Sequence, residues 1–291
     1  MPDDLAADRR RFLQAALGTA ALTPWLGRSS QAAPLPVPAP SLAADPWRGL
    51  KVGIATYTFS KIPLDKTIQG VSKLGVGYVS IKESHLPLKS STDERKNVVA
   101  KFKAAGIIPL SCGVVTFNDE PSDQRNVFEY ARDAGLPVIV CKPTRKSLPA
   151  LQTLVKEFDI KLAIHNHGPE DKVWPSPYDA WEAVQTLDPR IGLCIDVGHT
   201  KRSGVDPAEA IRKCSERLYD LHIKDIEDPA GRSRPTEIGR GILDIRGILK
   251  ALLDTKYGYH VGLEFEKDLT DPMHGSAESL GYLKGMLAGG V

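Results

Sequence analysis

The segment KLAIHNHGPE, residues 161–170, ends an apolar run on two imidazoles, His165 and His167, separated by one residue. In an extended strand, residues i and i+2 face the same side, so both rings point into one space. Later segments share that form: a β-branched apolar run that stops on ionisable side chains. IGLCIDVGH (191–199) supplies Asp196 and His199, LYDLHIKDI (218–226) supplies His222, Lys224 and Asp225, and YHVGLEFE (259–266) supplies Glu264 and Glu266. An early segment, YVSIKES (78–84), brings Lys82 and Glu83, with His85 directly after it. Taken one at a time, these residues have ordinary explanations. Asp196 can cap a helix, His222 can be a hydrogen-bonded core histidine, and Lys82 and Lys224 can face solvent. Taken together, ionisable groups at the ends of consecutive strands are costly to bury without mutual pairing or a cation, and a divalent metal ion would remove that cost.

The elements that must position these groups are legible as alternation. Further strand candidates are KVGIATYTF (51–59), IIPLSCGVV (107–115) and PVIVCKP (137–143), which with the five above make eight. Between them lie helical segments. Leu64, Ile68, Val71 and Leu74 keep a helical period after the first strand. Ser91 with Glu94 offers a capping box, Asp206-Pro207 an N-cap followed by a first-turn proline, and Asp244 a cap ahead of Ile245, Ile248, Leu249 and Leu252. Strands of nearly continuous apolar character, each followed by a helix, predict a parallel sheet covered on its outer face. Eight such units in about 240 residues predict an α/β fold of the (β/α)8 TIM-barrel type, a single domain over residues 49–291. A doubly wound open sheet would carry a glycine-rich phosphate turn after its first strand, and TYTFSKIP (56–63) is not one. In a barrel the polar strand ends all fall on the C-terminal rim, where βα loops build active sites.

Composition narrows the partners. The 291 residues are 42% apolar and 25% charged, with a net charge of only +2, which gives no electrostatic footprint for nucleic acid or an anionic membrane. The N-terminal stretch DRRRFLQAALGTAALTPWLG, with Arg9 and Arg10 before Phe12 and Leu13, is followed by the small residues SQAA and reads as a twin-arginine export signal over 1–33. A proline-rich linker follows over 34–48. The expected mature protein is soluble and periplasmic or extracellular, with no membrane attachment once the signal is removed. The four cysteines, Cys112, Cys141, Cys194 and Cys214, sit in apolar segments without a CxxC pair. Buried free thiols are the expectation, a Cys112–Cys141 bridge the alternative in an exported protein.

CIDVGHT, LHIKD, EIGRGILDI and GLEFE together resemble the xylose isomerase-like TIM barrels, a superfamily of sugar isomerases, epimerases, inosose dehydratase and endonuclease IV. The resemblance covers about residues 50–285. It implies one divalent metal held by residues from strands five to eight, usually Glu, Asp, His and Glu. Asp196, His222 and Glu264 match the last three. Where relatives read LAIENH this chain reads LAIHNH, which puts His165 in the place of the first glutamate. Two imidazoles, one Asp and one Glu suit Mn, Zn, Fe or Co better than Mg or Ca. The resemblance further implies substrate contact at His199, and at Arg240 through the GRG loop (239–241); His85, Asn166 and Lys224 are further candidates for substrate binding. His167, Lys82 and Glu266 are the candidate catalytic groups.

The chemistry expected is proton abstraction next to a carbonyl of a sugar or keto-sugar, with the enediolate charge held by the metal. Returning the proton elsewhere gives isomerisation or epimerisation; expelling a β-oxygen gives dehydratase, hydratase or lyase chemistry. Ketose epimerases of the family use two metal-bound glutamates as bases, and only Glu264 remains here, so a base must come from His167, Glu266 or Lys82. Two other classes stand beside these: an endonuclease, which lacks early-strand ligands apart from His85, and a non-catalytic exported sugar-binding barrel. A homo-oligomer is compatible with all of them. No Arg/Gly cluster forms a phosphate cradle, which favours an unphosphorylated substrate.

Overall fold

The computed structural model of the protein describes residues 45–229 and 233–291. Eight strands form its centre: β1 (Lys51–Ala55), β2 (Tyr78–Ile81), β3 (Ile108–Thr116), β4 (Val138–Lys142), β5 (Lys161–His165), β6 (Ile191–Asp196), β7 (Leu218–Ile223) and β8 (His260–Leu263). They pair in parallel in sequence order, and β8 closes on β1, giving the (β/α)8 barrel that the alternation predicts. Except for β3, the strands are shorter than the apolar runs that announced them. Asn166, His167, Val197, His199 and Lys224 lie beyond the ladder, where the backbone turns into loop or helix.

Around the barrel lie α1 (Leu64–Leu74), α2 (Thr92–Ala104), α3 (Pro121–Ala134), α4 (Leu148–Phe158), α5 (Pro177–Val184), α6 (Val197–Arg202), α7 (Pro207–Cys214), α8 (Ile245–Asp254) and α9 (Met273–Ala288). The local signals explain where several begin. Ser91 and Glu94 close a reciprocal capping box on α2, Asp206 accepts the Glu209 N–H at the start of α7, and Asp244 accepts that of Gly247 at the start of α8. Helices dock through one apolar face. In α8, Ile245, Ile248, Leu249 and Leu252 are all buried, each contributing roughly 1.5–3 kcal/mol of transfer free energy.

Inside the barrel, rings fill the space that glycines leave. A Cβ on Gly192 would come within 2.6 Å of the Tyr219 ring, and one on Gly53 within 2.8 Å of His260 Nε2. Register brings the polar strand ends to a common level. Asp196 on β6 lies beside His222 on β7, and the Glu264 N–H donates to Ile223 O just past β8.

The expected export signal (1–33) lies outside the described residues, as does most of the linker (34–48). The last linker residues form a turn in which Trp47 is buried against the barrel, so packing begins slightly ahead of residue 49. No helix among the described residues is long and apolar enough to cross a membrane. All four cysteines are buried and free.

Candidate metal centre and catalytic site

At the C-terminal rim, His165, Asp196, His222 and Glu264 each present a ligand atom, and these atoms lie within 4.8 Å of one another. His165 Nε2 is 3.0 Å from His222 Nδ1 and 3.6 Å from Asp196 Oδ2, and His222 Nδ1 is 3.2 Å from Glu264 Oε2. All four residues are buried. Asp196 does two jobs. Its Oδ1 accepts the His199 N–H at 2.8 Å and so caps α6, while Oδ2 faces the cluster without a well-aligned hydrogen bond. That buried oxygen, approached by the Lys224 ammonium but fixed by no hydrogen bond of good geometry, together with a second carboxylate and two imidazoles, fits a divalent ion bound through nitrogen and oxygen. Cys194 Sγ lies near enough to the two histidines to form a softer alternative set, and burial pushes its thiol up to about 12.

Lys224 reaches into the same space. Its Nζ is 2.9 Å from Asp196 Oδ2 and 2.7 Å from Glu264 Oε2, and it also contacts Glu266 Oε1. Burial opposes its charge, but the carboxylates of Asp196, Glu264 and Glu266 outweigh burial and hold the ammonium firmly protonated. Burial likewise opposes ionisation of Asp196 and Glu264, and the Lys224 ammonium reverses that and keeps both well below the usual carboxylate range. On His222, burial disfavours the charged ring, whereas Cys194 and Glu264 outweigh it and raise the pKa. His165 goes the other way: burial, then the neighbouring His167, keep it neutral.

A cavity of 220 Å³ opens over this cluster, lined by Tyr57, Lys82, Val114, His165, His167, His199, Glu264 and Glu266. His167 Nδ1 lies 3.4 Å from His165 Nδ1 and 3.6 Å from Asp171 Oδ2, and Asp171 is held in turn by Lys142 at 2.6 Å. Burial, with His199 and Lys142 adding to it, lowers His167 to about 4, so the ring is a neutral proton acceptor near neutral pH. Arg202 Nη1 sits 3.0 Å from His199 Nδ1. Arginine only donates, so Nδ1 accepts and the ring carries its proton on Nε2. A larger cavity of 520 Å³ between α2 and α3, lined in part by Arg95, Phe117 and Asn118, gathers no comparable set of donors.

Of the residues singled out in the sequence, His165, His167, Asp196, His199, His222, Lys224, Glu264, Glu266 and Lys82 converge here; Lys82 Nζ lies over the Tyr57 ring, 5.2 Å from its centroid. Three expected substrate contacts stand apart. His85 is a core histidine bonded to Thr56 and Thr67 hydroxyls and to Ile62 O. Asn166 is a clamp: its Oδ1 accepts the Asp196 N–H and its amide donates to Thr200 Oγ1. Arg240 is exposed and paired with Glu278, because Asp225 gathers the GRG loop away from the cavity by accepting the Gly239 and Gly241 N–H groups. Two members escaped the sequence argument. Tyr57 lies in TYTF, expected as the end of the first strand but folded as a 3-10 turn after β1, and Asp171 lies in the loop after His167 with no motif to mark it.

Comparison with known proteins agrees with this architecture. The curated inosose dehydratase of Clostridium perfringens is 26% identical over 161 residues, which are 49% of this chain and 54% of that protein. The chain thus spans about half the length of the curated relatives it matches. A structure from Parabacteroides distasonis superposes with a TM-score of 0.63 at 27% identity, covering 81% of this chain and 99% of that one. The 3-keto-D-glucoside 4-epimerase of E. coli superposes at 0.67 with 16% identity over 81% of this chain and 99% of that one, which speaks to the fold alone. Residues 64–286 match a family described as xylose isomerase-like TIM barrel, and the chain belongs to that family.

Proposed function

We propose that the protein is a divalent-metal-dependent enzyme that abstracts a proton next to a carbonyl of a small sugar or keto-sugar, with isomerisation or epimerisation as the overall reaction. The observation that carries this is the convergence of four buried donors beneath a cavity whose rim holds a neutral imidazole. His165, Asp196, His222 and Glu264 would hold the ion, of the Mn, Zn, Fe or Co type. When bound, such an ion supplies Lewis-acid polarisation of adjacent carbonyl and hydroxyl oxygens.

The protein's own groups do the rest. His167, with the Asp171 carboxylate 3.6 Å from its Nδ1, accepts the proton; His199 presents Nε2–H to a substrate oxygen; Lys82 and Tyr57 line the same opening. Glu266 is engaged by Lys224, which leaves the imidazole the readiest base.

A second reading, dehydration of a keto-sugar or keto-inositol, is favoured by one specific observation. His165 stands where a two-base epimerase would carry a glutamate, and the local similarity to an inosose dehydratase points the same way. Incubation with aldoses, ketoses and 3-keto sugars in deuterated water separates the two. Exchange of a carbon-bound proton without an enone absorbance supports isomerisation or epimerisation; an enone, or water addition to an unsaturated sugar, supports the dehydratase. Neither exchange nor turnover, with sugar binding intact, would leave a binding module instead.

Export is the reading that Arg9 and Arg10 support. A variant with both replaced by lysine should remain in the cytoplasm, and its appearance in the periplasm would refute twin-arginine export.

A further inference from the structure

Lys224 takes up the same oxygens that the candidate metal ligands offer. Its ammonium contacts Asp196 Oδ2 at 2.9 Å and Glu264 Oε2 at 2.7 Å, and the same Glu264 oxygen lies 3.2 Å from His222 Nδ1. The fold makes room for this lysine. A Cβ on Gly198 would fall 2.9 Å from Lys224 Cδ and 3.0 Å from Cγ, so the aliphatic stem lies directly over the glycine of DVGH. Charge counting adds to the picture. With His222 neutral, as a metal-ligating imidazole is, Asp196, Glu264 and Glu266 against one ammonium leave two negative charges, which one divalent ion would balance with the lysine retained. Glu266 differs from the other two carboxylates: its side chain is 31% exposed, at the cavity mouth, whereas Lys224 is 5% exposed.

We infer that Lys224 is a tethered cation that shares Asp196 and Glu264 with the divalent ion, and that Glu266 takes over the ammonium when the ion binds. The inference rests on the metal reading above. Without the ion, Lys224 keeps two buried carboxylates from facing each other uncompensated. With it, ammonium and metal compete for the same oxygens, so the lysine weakens metal affinity, and Glu266 softens the competition by offering the ammonium another partner. Lys224 is in this respect a positioning residue: it acts through the carboxylates.

The test is chelator competition with Mn²⁺ and Zn²⁺ on the full-length protein, with thermal melting of metal-free and loaded samples. Lys224→Met should bind Mn²⁺ roughly tenfold or more tightly than the unmodified protein. Its metal-free Tm should fall while its loaded Tm falls less, widening the rise that metal produces. Glu266→Gln, at a partly exposed position that tolerates change, should weaken Mn²⁺ binding by several-fold, and that effect should largely vanish in the Lys224→Met background. Equal or weaker Mn²⁺ binding by Lys224→Met, or a Glu266→Gln effect that persists undiminished in the double variant, would overturn the inference and leave the metal site standing. A lysine that merely supports the fold would lower both Tm values alike and leave affinity unchanged. Failure of the unmodified protein to bind either ion would remove the metal reading and the inference with it.

Discussion

Replacing Asp225 tests how the HIKD segment divides its labour between fold and site. Asp225 is fully buried, and its two oxygens accept four backbone N–H groups: Ile226 at 2.9 Å and Leu243 at 3.2 Å on Oδ1, Gly239 at 3.0 Å and Gly241 at 3.1 Å on Oδ2. In Asp225→Ala all four donors lose a charged acceptor. The Gly239 and Gly241 groups are part-buried and can rehydrate, but those of Ile226 and Leu243 are buried and cannot. At about 1–3 kcal/mol for each buried unsatisfied group, with a smaller cost for the other two, the loss comes to roughly 3–7 kcal/mol. Asp225→Asn keeps one acceptor oxygen and should fall between alanine and the unmodified protein. Urea unfolding at constant slope measures the difference. Metal affinity of the folded variants should stay within a few-fold, because the Asp225 side chain serves the loop while its neighbour Lys224 enters the site. A loss below about 1 kcal/mol for Asp225→Ala would refute the claim that this carboxylate organises Ile226 and the stretch from Gly239 to Leu243.

Asp196→Asn and Glu264→Gln should each lose at least a hundredfold in metal affinity, more than the 10–100-fold typical of groups that only support a ligand, while circular dichroism still reports a folded barrel. Full metal content in both would show the ligand assignment to be wrong. His167→Asn should keep its metal and lose turnover; loss of metal instead would exchange the roles of His165 and His167. The pH profile has a defined sign: His167 is lowered from 6.5 to about 4, so the base stays neutral as pH falls through 6.5 and is protonated only near 4. Nearby positive charge from a bound ion moves that limb lower still, and an acid limb of kcat/KM at 6–7 assigned to His167 would contradict its placement. Burial raises the Cys112 and Cys194 thiols to about 12, so no cysteine should react with a thiol reagent in the native protein and all four should react after unfolding without reductant; a shortfall would reveal a disulfide.

The barrel was legible because its signals are periodic and redundant. Apolar β-branched runs alternate with helical segments eight times over, and caps such as Ser91, Asp206 and Asp244 act through neighbours three residues away. Much of the site was legible for a related reason: in a parallel barrel, position at the C-terminal end of a strand fixes direction, so His165, Asp196, His222 and Glu264 had to share a rim. What sequence could not supply was partner choice past the strand ends. His85 follows β2 by only four residues, yet three local acceptors and donors draw it into the core. Arg240 sits in a loop whose course is set by Asp225, fourteen residues upstream in the hydrogen bond to Gly239, and its guanidinium finds Glu278 instead of the cavity. Asp171 and Tyr57 enter the site through loop geometry that no spacing rule encodes.

The most direct test is a crystal structure of protein purified without added metal, with elemental analysis of the same sample and anomalous diffraction at the matching absorption edge. One transition-metal equivalent, with a single anomalous peak within bonding distance of His165, Asp196, His222 and Glu264, is the expected result. Metal-free crystals that stay metal-free after soaking in Mn²⁺ or Zn²⁺, or a peak bound elsewhere, would contradict it.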